Sequence, residues 1–342
     1  METYQPRIQI NILPVNSGDC IHLRFQSKKD WHNVVVDSGP AGTAGIFRSL
    51  LYQIKAHGEQ VDLLCFSHID DDHIKGAERV FTSIGFDPSI IQRIWLNVPD
   101  DAIPEKTANG IFTPKTVTTA NKLLQAILNH NISLESKVIA GQECLIGDAV
   151  IRVVLPTQER LDAYYIEWRK HTQVPLYQPQ AIHPDTSPTN GSSIALLCKI
   201  EERQILLTGD AFPGDLTAVG DQYAGEQGFS IVKLPHHGSD ANISEEMLKA
   251  LKSQDFIIST KQTPHRPGEE AMNLIAAYGS CTDGVTLYGN YKWSRYTSGI
   301  PNVTVVYPQN QGVLSRERIE VYSDARSTQI YDEPTCSSDS PE

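Results

Sequence analysis

Residues 67–76 read S-H-I-D-D-D-H-I-K-G and place His68, Asp70, Asp72 and His73 within six consecutive positions. The stretch follows V-D-L-L-C-F, residues 61–66, an apolar run that reads as a buried strand. The periodicity after it predicts a helix over 74–84. The two imidazoles and the carboxylates therefore sit on a short loop where a strand ends. Such a cluster repels itself unless a cation sits inside it. An acidic helix cap is the competing account, because aspartate at a helix start is itself stabilising. The flanking histidines favour metal, since imidazole is a common transition-metal ligand.

Later strand ends repeat the signal. Residues 204–208, Q-I-L-L-T, run into Gly209-Asp210. Residues 230–235, S-I-V-K-L-P, run into His236-His237-Gly238-Ser239, and 256–260, F-I-I-S-T, precede His265. Singly these are weak: G-D is a common turn and a lone histidine is usually a surface residue. Adjacent histidines at a strand end are more specific. Four such ends converging would deliver up to eight ligand-type side chains. One zinc takes about four, so the count suggests two ions.

The rest of the chain bounds the class. It has 342 residues, 40% hydrophobic and 20% charged, as a soluble globular protein does. Its formal net charge of -12 argues against a broad basic nucleic-acid face, though not against a nucleic-acid substrate held locally by metals. Cys20, Cys65, Cys144, Cys198, Cys281 and Cys336 form no C-x-x-C pair and read as small buried hydrophobes in a reducing compartment. The opening M-E-T-Y-Q-P-R has no leader-like apolar region, and no run is long enough to span a bilayer. A cytoplasmic protein without a membrane partner is expected.

Strands are predicted at 8–15, 20–25 and 33–36, a helix at 46–57, a strand at 91–96 and a polar loop at 99–114. A helix at 116–129, a hairpin at 143–146 and 150–155, and a helix at 158–170 follow. Residues 171–189 read as a loop that borders a cleft. A hairpin at 193–200 and 204–208 leads into strands at 230–234, 256–260, 285–288, 303–307 and 319–322, with helices at 244–252 and 268–278. The polar end, 323–342, is expected to be a flexible tail.

The order H-x-D-x-D-H, N-x-x-S, T-G-D, K-x-P-H-H-G-S and a late H-x-P resembles the metallo-β-lactamase-fold hydrolases. The branch it looks like is the ComEC-like one, the hydrolase domain of the competence DNA-uptake channel, with the related phosphorylcholine esterases. The opening I-L-P-V-N-S-G-D-C-I-H-L and V-V-V-D-S-G match the first strands of that fold. The resemblance implies an α/β four-layer αββα sandwich, a single hydrolase domain over 1–322 with a variable region about 99–190, and two divalent metal ions, zinc or manganese.

Carried over by position, His68 and Asp70 would hold one ion and Asp72, His73 and His265 the other. Asp210 would bridge, His237 would complete the coordination of the first ion, the one held by His68 and Asp70, and His236 would lie beside the substrate, with the choice between the two adjacent histidines open. Asp70 and Asn190 stand where many members have histidine, and both exchange imidazole for oxygen donors, which admits manganese. The ions would activate water, with Asp72 or Asp210 orienting it. Lys233, His236 and the N-G-S-S segment, with Asn190 and Ser193, would meet charge on the substrate; Lys233 equally reads as an ordinary strand residue. Asp19 and Asp37 read as hydrogen-bonded loop anchors, and Trp293 and Tyr296 as core or rim packing.

The resulting expectation is a phosphoester hydrolase, with a nucleic-acid or nucleotide phosphodiester as substrate. A small-molecule phosphodiesterase or lactonase, and a metal-bearing interaction subunit with little activity, are the alternatives.

Overall fold

The computed structural model describes residues 7–103, 118–171, 185–279, 284–296, 299–308 and 312–323. The chain opens with β1 (Ile8–Ile12), β2 (Ile21–Ser27), β3 (Asp30–Val36), α1 (Ala44–Ala56), β4 (Leu63–Cys65), α2 (Asp71–Phe81) and β5 (Arg93–Trp95). It continues with α3 (Thr119–Asn129), β6 (Ser133–Glu135), β7 (Glu143–Ile146), β8 (Ala149–Leu155), α4 (Gln158–His171), α5 (Pro188–Gly191), β9 (Ala195–Ile200) and β10 (Arg203–Leu207). The last part holds α6 (Pro213–Tyr223), β11 (Ile231–Lys233), α7 (Glu245–Leu251), β12 (Asp255–Ile258), α8 (Glu269–Tyr278), β13 (Val285–Gly289), β14 (Val303–Val306), β15 (Val313–Leu314) and β16 (Glu320–Tyr322).

Two eight-stranded sheets result, ordered β15-β16-β1-β2-β3-β4-β5-β6 and β14-β13-β12-β11-β10-β9-β8-β7. Each sheet mixes an antiparallel meander with a parallel run, β3-β4-β5-β6 in one and β10-β11-β12-β13-β14 in the other. The C-terminal strands return to the first sheet, where β16 pairs parallel with β1.

Parallel strands covered on both faces read as unbroken apolar runs. That explains V-V-V in β3, L-L-C in β4 and D-F-I-I in β12, whose residues are buried except at the start of β3. The apolar residues sort into three layers. Phe47, Leu51, Ile74, Phe81, Leu123 and Trp168 put helices on the outer face of the first sheet. Ile10, Leu23, Val34, Leu196, Ile205 and Ile257 interdigitate between the sheets. Leu216, Met247, Leu251, Met272 and Trp293 cover the second sheet's outer face. The expected αββα sandwich is what forms.

Boundaries differ where tertiary contacts decide them. The helix expected over 74–84 spans Asp71–Phe81, and Ile84 is fully exposed because Phe81 is the last side chain to reach the core. The expected loop at 99–114 is described only to 103 and contains a single 3-10 turn, Asp100–Ala102. The region about 99–190 holds α3, β6 to β8 and α4 as regular elements of the sandwich. The expected tail and most of the 171–189 loop lie outside the described residues. Cys20, Cys65 and Cys198 are buried and Cys144 is partly so, all four as free thiols. No helix among the described residues is long and apolar enough to cross a membrane.

Candidate metal centre

The carboxyl ends of β3, β4, β10, β11 and β12 meet at one edge of the sandwich. β4 runs through Phe66 and Ser67 into His68, and Asp70 is the N-cap residue of α2, so Asp72 and His73 fall in its first turn. The helix dipole favours carboxylates there. β10 ends in Thr208-Gly209-Asp210. Gly209 is obligatory: its φ is 57° and a Cβ would come within 2.8 Å of the Ser67 side chain. β11 ends in a turn where His236, His237 and Gly238 all take positive φ (47°, 56° and 76°). Two consecutive left-handed histidines store strain of the kind found at functional sites.

The turns hold the imidazoles by their Nδ1 atoms. Asp37 follows β3; its Oδ1 accepts from Ser67 N and its Oδ2 from Ser67 Oγ, both at 2.7 Å. That anchored carboxylate lies 2.8 Å from His73 Nδ1. His237 Nδ1 donates to the Ser259 carbonyl at 3.0 Å, with Asp19 Oδ1 at 3.2 Å from the same nitrogen. His68 Nδ1 has Ser67 Oγ at 3.0 Å and Ser193 Oγ at 3.4 Å. Carboxylate–imidazole pairs of this kind orient metal-ligating histidines. Asp37 anchors the loop after β4, and Asp19 and Asp37 both lie against the donor set: Asp19, Asp37 and His73 offer atoms within 4.8 Å of one another, as do Asp19, Asp210 and His237.

The opposite ring nitrogens are bare. His68 Nε2, His73 Nε2, His237 Nε2 and Asp210 Oδ1 are buried without a hydrogen-bond partner. Buried polar atoms are rarely left so, and each costs about 1–3 kcal/mol if nothing satisfies it. Asp210 Oδ2 lies 3.5 Å from His73 Nε2, 3.7 Å from His237 Nε2 and 3.9 Å from His68 Nε2. Asp70 Oδ2 is 3.6 Å from His68 Nε2, and Asp72 Oδ2 is 3.4 Å from His237 Nε2. His68, His73 and Asp210 offer donor atoms within 4.8 Å of one another, as do Asp72, His73 and His237. These four unpartnered atoms converge on one another, an arrangement that suits a cation.

The electrostatics agree. Burial opposes charge on Asp210, yet His237, His73 and His236 outweigh it and hold this carboxyl well below the usual range. Burial likewise opposes a proton on His73, but Asp210, Asp37 and Asp72 raise its proton affinity well above that of a free imidazole. His237 is raised against burial by Asp19 and Asp210. The carboxylates gathered here thus favour positive charge at the two imidazoles.

Of the residues singled out from sequence, His68, Asp70, Asp72, His73, Asp210 and His237 are brought together. His237 sits against Asp72 and Asp210, so it joins the Asp72–His73 side and not the His68–Asp70 side. His265 is exposed and belongs to none of the donor groups among the described residues; its amide donates to Thr263 Oγ1 at 3.3 Å. Lys233 is 2% exposed, contacts Asp19 and donates to the Gly209 carbonyl at 3.0 Å, so it braces the centre from behind and does not face a substrate. Ser193, fully buried, accepts from Asp210 N at 3.1 Å. It too is a support. Asn190 Nδ2 donates to Asp185 Oδ2 at 2.8 Å.

His236 lies at the rim, its Nε2 3.6 Å from Asp210 Oδ2. Its Nδ1 is 2.7 Å from Asn242 Oδ1 and 3.2 Å from Asp185 Oδ2. Burial opposes charge on Asp185, but bonds from His236, Asn190, Asn242 and Ser187 N bring its carboxyl down to about 2. Sequence reasoning passed over Asp185 and Asn242. Neither stands at a strand end, and only the folded chain brings them to His236.

Residues 28–124 match the family model described as the metallo-beta-lactamase superfamily. With two mixed sheets between helical layers, the architecture follows. This is the metallo-β-lactamase fold. ComE operon protein 3 of Bacillus subtilis (strain 168) is 23% identical over 219 residues, covering 64% of this chain and 22% of that protein. The match therefore spans about a fifth of the relative's length. Among solved structures, the metallo-beta-lactamase fold protein YhfI from Bacillus subtilis is 12% identical with a TM-score of 0.39, covering 88% of this chain and 97% of that one. A diphosphatase from the PhnP family is 12% identical with a TM-score of 0.40, covering 88% and 94%. Within the metallo-β-lactamase fold, the edge where strand ends gather is the one that carries the donor cluster here.

Proposed function

We propose that the protein is a metal-dependent hydrolase of phosphoesters, acting on a phosphodiester such as that of a nucleic acid or nucleotide. The observation that carries this reading is the convergence of buried, unpartnered His68 Nε2, His73 Nε2, His237 Nε2 and Asp210 Oδ1 at one sheet edge. Three imidazoles with Asp70, Asp72 and Asp210 are the mixed nitrogen and oxygen set that zinc or manganese takes. His68 and Asp70 would hold one ion, Asp72, His73 and His237 the second, with Asp210 between them.

Divalent cations bound there would supply Lewis acidity toward a phosphoryl oxygen and lower the pKa of water at the centre. The chain's own residues do the remaining work. Asp37, through His73 Nδ1, and Ser259 with Asp19, through His237 Nδ1, fix the tautomers that leave Nε2 free. Lys233 balances the buried carboxylates from behind. His236, held at Nδ1 by Asn242 and Asp185, presents its Nε2 to whatever lies beside Asp210. No serine or cysteine nucleophile is required.

A small-molecule phosphodiesterase or a lactonase would use the same centre. Elemental analysis of the purified protein, followed by a screen of single-stranded DNA, RNA, cyclic nucleotides, a lactone and bis-p-nitrophenyl phosphate with manganese or zinc, tests the reading. Wild-type protein is expected to cleave a phosphodiester and Asp210→Ala to lose that cleavage. Inertness of the wild type toward every phosphoester with every divalent ion would overturn it.

A further inference from the structure

We propose that Arg266 is the residue that grips the anionic phosphate of the substrate, and so sets the centre's preference for phosphodiesters over neutral esters. This rests on the hydrolase reading above and narrows its substrate class. The loop from Thr263 to Pro267, between β12 and α8, is tied down on all sides. Thr263 N donates to the Arg266 carbonyl at 2.8 Å. Arg295 donates to the carbonyls of Thr263 and Pro264, both at 3.1 Å, and to that of Pro267 at 3.4 Å. Tyr296 Oη donates to Pro267 O at 3.1 Å. Gly268 N donates to Gly238 O at 2.9 Å, which joins the loop directly to the His236–His237 turn. Held this way, His265 faces solvent and Arg266 turns inward to His236 Nε2.

The guanidinium reaches the centre through this ring. Arg266 Nη2 meets His236 Nε2, while Asn242 Oδ1 and Asp185 Oδ2 hold the ring at Nδ1. The same Nε2 is 3.6 Å from Asp210 Oδ2. The guanidinium consequently stands at the mouth of the donor cluster. No carboxylate among the described residues lies within ion-pair distance of it. A partly buried guanidinium with no carboxylate beside it has its charge unspent.

The whole-molecule field makes this cation necessary. A chain of net charge -12 repels an incoming phosphate, and a local positive group at the mouth reverses that repulsion where it matters. The planar fork can take two non-bridging phosphoryl oxygens at once, a geometry that an ammonium does not reproduce. A lactone or a phosphotriester offers no anion and gains nothing from it.

The test compares wild type, Arg266→Ala and Arg266→Lys on an anionic diester, bis-p-nitrophenyl phosphate, and a neutral triester, diethyl p-nitrophenyl phosphate. It adds calorimetric titration of inorganic phosphate into each purified protein, a readout independent of turnover. Arg266→Ala is expected to lose about 10- to 100-fold in kcat/KM on the diester, at least ten times more than on the triester, and about 10-fold in phosphate affinity. Arg266→Lys should recover part of each loss. Equal losses on both substrates, or phosphate affinity indifferent to Arg266, overturn the assignment. Should the wild type cleave neither ester while its phosphate affinity still depends on Arg266, the hydrolase reading falls and the anion site stands. Diester cleavage that is indifferent to Arg266 does the reverse.

Discussion

Asp72 Oδ2 lies 3.4 Å from His237 Nε2, across the boundary between the two sheets. Asp72 belongs to the first turn of α2, which follows β4 of the first sheet; His237 belongs to the turn after β11 of the second. The donor cluster is complete only when the sheets are docked. Whatever binds it also binds the folded state and not the unfolded one.

That linkage makes a prediction. Manganese or zinc well above its dissociation constant should raise the melting temperature by several degrees, and a chelator should reverse the rise. His237→Ala removes a donor from the Asp72–His73 side, so it should bind about one equivalent of metal fewer and show a smaller rise. Elemental analysis and differential scanning calorimetry on the two proteins check this. An unaltered metal content in His237→Ala would contradict the geometry.

His265 supplies the contrast. It is exposed and its backbone, not its ring, makes the bond to Thr263. His265→Ala is expected to leave metal content and melting temperature within error of wild type, since surface substitutions of this kind change stability by less than about 0.5 kcal/mol. A lost equivalent of metal would return His265 to the ligand set.

The contrast also shows how far the chain can be read without its fold. Residues 67–76 are legible because everything that matters there is local: a buried strand, a short loop and a helix start within one stretch. Asp210 and the His236-His237 pair are legible for the same reason, each standing just past an apolar run. Which of two neighbours faces inward is not local. His265 and Arg266 are adjacent, and their orientation is set by Arg295 and Tyr296 in a later segment. Likewise the side of the cluster that His237 joins follows from positive φ at His236 and His237, a backbone state no composition announces. Lys233 reads equally as a substrate-facing donor and as an ordinary strand residue, and its contact with Asp19, distant in sequence, shows only in the fold.

The Lys233–Asp19 pair carries its own prediction. Both side chains are 2% exposed. Burial opposes charge on Asp19, yet Lys233 and His237 hold its carboxyl well below the usual range. Removing one member takes the nearest countercharge from the other, leaving Lys233 only Asp210 at 3.9 Å or Asp19 only His237 at 3.2 Å, at a cost of up to about 3–5 kcal/mol. Lys233→Met and Asp19→Asn should each destabilise the protein strongly in urea denaturation. The double variant should lose clearly less than the sum, with a coupling of about 1–3 kcal/mol. Additive losses would mean that the two groups do not share the charge.

His22 gives stability a pH dependence away from the centre. It lies buried on β2, its Nε2 2.9 Å from Asn33 Oδ1. Asn33 Nδ2 already donates to Glu59 and to the Gln60 carbonyl, so Oδ1 accepts and His22 Nε2 carries the proton of a neutral ring. Burial, with Arg24 nearby, outweighs the bond to Asn33 and brings the imidazole down from 6.5 to about 4. Between these values the unfolded chain binds a proton that the folded chain refuses. Stability from this group is complete above about pH 6.5, falls as the pH drops, and levels off near pH 4, where the folded ring also protonates. The full loss corresponds to about 3 kcal/mol. His22→Gln keeps a donor for Asn33 and has no imidazole to titrate. Unfolding free energies of the two proteins, measured by urea denaturation from pH 7 to 4, should therefore diverge by about that amount in the variant's favour. Carboxylates common to both cancel in the difference, so parallel profiles would show that His22 is not the group responsible.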